Sequence, residues 1–94
     1  MNVKEIKEWV TSYNDEALLA DGFEDAIIGM GQQHGSNSVV IYDRDKCIEI
    51  LAKQYIKEGY KKPYLDAEDF FGYNVECAYV GKNTPIFMQR IEDE

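Results

Sequence analysis

The side chains with the strongest latent chemistry are one histidine, His34, and two cysteines, Cys47 and Cys77. A nucleophilic thiol needs exposure and a base within hydrogen-bond reach, and His34 is the sole imidazole that can supply one. His34 stands in the polar run Gln32-Gln33-His34-Gly35-Ser36-Asn37, which reads as a solvated turn. Cys47 and Cys77 stand inside apolar patterns and read as small, reduced, buried hydrophobes. Neither belongs to a Cys-x-x-Cys pair, and one histidine with two separated cysteines is too small a ligand set for zinc. A disulfide would need an oxidising compartment, and nothing points to one.

The carboxylates are numerous but unpatterned. Asp43-Arg44-Asp45 and Asp66-Ala67-Glu68-Asp69 lack the spacing and glycine of a calcium loop, and read first as helix caps. General acid–base work needs two carboxylates paired in a cleft, and among the eighteen acids the sequence prefers no pairing. Gly29-Met30-Gly31 followed by Gly35 has a surface likeness to a dinucleotide fingerprint. That mechanism needs a helix to begin directly after the glycines, and the next apolar run starts only at Val39, too soon for a crossover helix. The expectation is therefore no enzyme, no cofactor and no metal, which leaves binding as the role.

The elements that would position a binding surface follow from periodicity. Val3, Ile6, Val10 and Tyr13 form one face of an amphipathic helix over 2–13, flanked by Trp9. Asn14 or Asp15 can cap a short second turn carrying Ala17, Leu18 and Leu19, and Asp21-Gly22 breaks it, so 1–21 is an N-terminal helical segment. Residues 25–31 and 38–42 read as two strands of an antiparallel hairpin. The first of these could instead be the end of a helix starting near Glu24, and Gly29 and Gly31 weaken both readings. Asp43 caps a helix over 44–58, with Lys57 in the last turn and Gly59 beyond it. Pro63 keeps Lys62 out of a helix. A third helix is expected from an Asp66 cap to about Val75, then strands over 77–80 and 86–88 around the turn 81–84. The order predicts a single α+β domain over 1–94. Its small antiparallel sheet has three to four strands in two hairpins, covered on one face by about three helices, and an acidic tail occupies 91–94.

Ninety-four residues allow one modest core, which removes roughly two-thirds of the unfolded surface from water. The net charge of −8 is uneven. Residues 1–25 carry −5, residues 26–64 carry +2, and residues 65–94 carry −5. Such a field repels nucleic acid and anionic membranes and favours basic protein surfaces, although surface charge also serves solubility. No stretch has the length of a membrane span and no basic leader precedes the domain, so the cytoplasm is the expected location.

Aromatic residues concentrate late in the chain: Tyr60, Tyr64, Phe70, Phe71, Tyr73 and Tyr79. Several must build the core, with tyrosine hydroxyls reaching water. Tyr60 and Tyr64 flank the lysine-bearing loop and are the least buriable. Tyrosine beside acids is a common interface composition. The candidate partner-binding residues are therefore Tyr60, Tyr64, Asp66, Glu68 and Asp69, with Glu24 and Asp25 as a second acidic pair.

Several runs resemble a group of small, largely uncharacterised bacteriophage proteins. They are Gly22-Phe23-Glu24-Asp25-Ala26-Ile27-Ile28-Gly29-Met30-Gly31, Tyr42-Asp43-Arg44-Asp45-Lys46-Cys47-Ile48-Glu49-Ile50-Leu51, Phe70-Phe71-Gly72-Tyr73-Asn74-Val75, Ala78-Tyr79-Val80-Gly81 and Thr84-Pro85-Ile86-Phe87. The likeness extends from about 22 to 88, and it implies that 55–63 is an insertion relative to that group. It implies a phage origin and transfers no activity to any residue. Small acidic phage proteins often block a host machine, such as a nuclease or an RNA-guided defence complex, or else sequester a small nucleotide signal. The leading expectation is thus a phage accessory protein in the host cytoplasm that binds and inhibits a basic host protein, without contacting nucleic acid or membrane directly. The alternative expectation is a small-ligand binder that uses Arg44, Lys46, Lys61 and Lys62, as an oligomer such as a homodimer with its pocket at the subunit interface.

Overall fold

The computed structural model describes residues 2–78 and 81–91. The N-terminal stripe folds as helix α1, Val3–Tyr13. The Asn2 side chain starts it by accepting from the Glu5 N–H at 2.8 Å, which satisfies one of the donors a helix start leaves open. Val10 reaches the core, with Ile6 and Trp9 packed beside it. Asn14 caps the next turn by accepting from the Glu16 N–H. Residues 17–20 then run without helix, because tertiary partners take their backbone groups: the Leu18 N–H donates to Asn83 O, and the Ala20 N–H to the Tyr42 hydroxyl.

Residues 24–31 hold both readings in succession. One 3-10 turn, Glu24–Ala26, leads into strand β1, Ile27–Gly31. Strand β2, Val39–Asp43, pairs antiparallel with it; Gly31 faces Val39, Met30 faces Val40 and Gly29 faces Ile41. The register shifts between Ile27 and Gly29, so Ile28 is a bulge residue. Helix α2, Arg44–Lys57, follows β2 directly. Asp43 caps it by accepting from the Lys46 N–H at 3.2 Å. The chain leaves α2 through Gly59 at φ +85°, a conformation that glycine adopts without strain.

Helix α3 is Pro63–Phe71, and it starts earlier than the expected Asp66 cap. Pro63 occupies the first helical turn, where its missing N–H costs nothing, and Lys62 is the non-helical residue before it. Asp66 therefore lies within the first turn and complements the helix dipole there. A π turn, Gly72–Glu76, extends the helix towards the expected boundary.

The last strand, β3, is Ile86–Met88, and its pairing corrects the second hairpin. It runs parallel to β2, with Ile41 opposite Ile86, Tyr42 opposite Phe87 and Asp43 opposite Met88. The sheet is mixed, in the order β1-β2-β3, and the fold is α+β. Parallel neighbours need a long crossover, and α2 with α3 provides one. Of the expected strand over 77–80, Cys77 sits in a turn and Ala78 has no regular structure. Tyr79 and Val80 lie outside the described residues, as do residues 92–94 of the expected tail.

One face of the sheet carries Val40 and Tyr42, with Ile27, Met30 and Phe87 beside them, into a core shared with Cys47, Ile48, Leu51 and Ala52 of α2 and Ala67 and Phe71 of α3. Phe71 meets Phe23 and Phe87 edge-on at 5.8 and 5.0 Å, and Phe87 stacks on Tyr42 at 5.4 Å. Gly29, Ile41 and Ile86 are register partners on the opposite face, where a side chain added at Gly29 would meet nothing.

Candidate partner-binding surface

Helix α3 is fixed from below and open above. Ala67 and Phe71, one turn apart, are fully buried. The residues between and around them cannot share that face, because a helix turns about 100° per residue. Tyr64 and Leu65 are each 54% exposed, Phe70 is 44% exposed, and Tyr73, just past the helix, is 83% exposed. Tyr60 is 47% exposed and stacks flat on Tyr55 at 4.3 Å, so its ring is pre-positioned before any partner arrives. So many large apolar side chains close together on one helix and its flanks are uncommon on a surface with no partner.

The acids of this region divide on α3: Asp66 and Asp69, three residues apart, share a face, and Glu68 lies on another. Glu68 and Tyr64, one turn apart, line a shallow cleft of about 320 Å³ with Arg44, Asp45, Ile48 and Glu49. Asp66 lies towards Tyr55. The Tyr55 hydroxyl is pushed above its ordinary range by desolvation, then by Tyr60, Glu58 and Asp66. Asp69 and Leu65, again one turn apart, are exposed to solvent. Asp66, Glu68 and Asp69 make no ion pair among the described residues.

Other acids are engaged. The Arg44 Nε donates to Glu76 at 2.6 Å, and this bond, ahead of desolvation and other charges, raises the Arg44 pKa. Arg90 pairs with Asp43 at 3.1 Å, Lys53 with Glu49 at 3.1 Å, and the Gln89 amide donates to Asp45. The second acidic pair, Glu24 and Asp25, lies apart from α3, in a cleft of about 380 Å³ with Ile6, Trp9, Ile27 and Ile28. Asp25 also faces Lys46, Lys53 and Lys57 across another cleft. The proposed cation set does not gather: Arg44 is held by Glu76, Lys46 belongs to the α2 stripe, and Lys61 and Lys62 precede α3.

The sulfur chemistry divides. Cys47 is fully buried, and burial, then the Asp43 charge, pushes its thiol up to about 12, so it stays protonated and inert. Cys77 is exposed, against the expectation of a core strand, because the π turn ends there. His34 lies exposed in its turn, as the polar run suggested. Among the described residues, no three His, Cys, Asp or Glu side chains come together as a metal site would require, and no helix is long and apolar enough to cross a membrane.

The sequence reading missed Leu65 and Phe70 as surface residues. Their signal was present: Leu65 stands two positions before Ala67, and Phe70 adjoins Phe71, so only one of each pair can face the core. Comparison with protein-family models, curated proteins and solved structures finds no match to this chain.

Proposed function

We propose that this chain is a phage accessory protein that docks on a basic surface of a host protein and inhibits it, a nuclease or RNA-guided defence complex being the favoured class. The observation that carries the reading is α3. Exposed Tyr60, Tyr64, Leu65, Phe70 and Tyr73 stand among Asp66, Glu68 and Asp69, three carboxylates without ion pairs among the described residues. Aromatic anchors supply contact area at low entropic cost, while unpaired acids steer a cationic partner during approach. The Tyr60–Tyr55 stack and the buried Ala67–Phe71 edge hold the helix rigid, so little ordering remains to be lost on binding. The phage origin rests on the sequence resemblance alone.

Host protein captured from lysate gives the test. Its association rate should fall steeply between low and physiological salt, and neutralising Asp66, Glu68 and Asp69 to Asn, Gln and Asn should remove most of that dependence. Tyr73→Ala should instead speed dissociation by about thirtyfold, the effect of an anchor worth about 2 kcal/mol. Binding that ignores salt and survives both variants would place the interface elsewhere.

A further inference from the structure

We propose that the cleft between the 32–38 turn and the 81–84 turn binds a nucleoside monophosphate. The cleft holds about 460 Å³, inside the range of roughly 300–1,000 Å³ typical of small-molecule sites. Its floor is the sheet at Gly31, Val39 and Ile86. The missing Cβ at Gly31 leaves room for the Ile41 side chain, whose Cδ1 would lie 2.6 Å from it, and the floor residues Gly31, Val39 and Ile86 are all non-polar. Such a surface suits a planar ring.

The walls are held in place before any ligand arrives. The Ser36 N–H donates to Gln33 O at 2.8 Å, with Gly35 at φ +80°, and the Thr84 N–H donates to Gly81 O at 3.3 Å, with Gly81 at φ +111°. The Asn83 side-chain oxygen accepts from both Asn14 and Asn37, which locks the two turns together. Within this frame the Gln33 amide and the Ser36 hydroxyl make no side-chain hydrogen bond among the described residues, and Lys82 has no carboxylate partner there.

Charge selects the ligand. The other clefts described each include Asp or Glu, whereas this lining has neither and contains Lys82. On a chain of net charge −8, an anion entering it meets a lysine and no lining carboxylate, whereas the three lysines of the α2 cleft share theirs with Asp25. A single cation matches one phosphate rather than a phosphate chain. The base would lie on the floor, its edge read by Gln33 and Ser36, with the phosphate at Lys82.

The test is amide-resolved NMR of the full chain titrated with adenosine or guanosine monophosphate. Adenosine, inorganic phosphate and a short single-stranded oligonucleotide are run alongside. The mononucleotide should move resonances of residues 31–39 and 81–86, and each half-ligand should bind about tenfold more weakly or worse. Lys82→Glu, an exposed change, should weaken mononucleotide binding by about tenfold or more, and Lys46→Glu should leave it unaltered. No movement at millimolar mononucleotide would overturn the site. So would movement confined to Lys46, Lys53 and Lys57, full binding by Lys82→Glu, or tighter binding of the oligonucleotide. None of these residues belongs to α3, so failure here leaves the partner-binding reading standing, and the reverse holds too.

Discussion

A single side chain can be decided by burial alone. Cys47 and Cys77 look alike as letters in apolar surroundings, yet one is fully buried and the other is open to solvent. For Cys47 this has a thermodynamic consequence. Its thiol titrates near 9.0 when unperturbed and at about 12 in the fold, because burial disfavours the thiolate. The neutral form stabilises the fold fully below pH 9, and that contribution drains away as the pH climbs towards 12. Burial also raises the Tyr42 hydroxyl, which adds to the loss in the same direction. Urea unfolding followed across the alkaline range should therefore show stability falling above pH 9, and Cys47→Ala should make the fall shallower. An identical slope in both proteins would show that the Cys47 thiol is not the buried group being titrated.

Elements are set by their ends as much as by their faces. α2 is bounded by Asp43, which accepts from the Lys46 N–H, and by Gly59 at φ +85°. A Cβ at Gly59 would meet no neighbour, so replacement strains only the backbone. Gly59→Ala should lower stability by about 1 kcal/mol, seen as a lower urea midpoint with an unchanged slope. A variant as stable as the parent would mean that the turn after α2 relaxes without cost. The start of α3 teaches the complementary lesson. Both Pro63 and Asp66 are good start signals, and the earlier one prevailed, because proline at the first turn and an acid inside it are compatible.

Across the whole molecule, the aromatic series Phe23, Phe71, Phe87 and Tyr42 joins segments distant in sequence. Phe71 stands at its centre, and its ring also lies 5.9 Å from the Arg44 guanidinium. Removing it should cost about 3–5 kcal/mol, much of the roughly 5–15 kcal/mol that holds a domain together. Phe71→Ala should consequently unfold at low urea or fail to fold cooperatively. Tyr73→Ala, two residues on but 83% exposed, should stay within about 0.5 kcal/mol of the parent. Equal losses from both would contradict the division of α3 and the turn after it into a buried side and an exposed side.

Much of the fold was legible in local pattern. The α1 stripe, the Asp43 cap, the Gly59 stop, the β1–β2 hairpin and the α+β class all depend on residues within a turn or a hairpin of one another, where spacing and propensity act directly. The aromatic and acidic supply around α3 was equally plain. Its arrangement was not: Glu68 turns to the Arg44 cleft, away from the face that Asp66 and Asp69 share, and Glu24 and Asp25 are elsewhere.

Sequence alone therefore determined α1, the β1–β2 hairpin, where α2 begins and stops, and which residue types are present, whereas the expected helical turn at 17–19 and strand at 77–78 did not form. Tertiary structure decided that β3 joins β2 in parallel, that Phe71 rather than Phe70 is buried, and that two polar turns close around a lysine-bearing cleft. The division has a physical origin. Helix faces and caps are settled by interactions a few residues long, whereas strand partners and cleft walls depend on which distant surfaces exclude water most completely when the chain closes on itself.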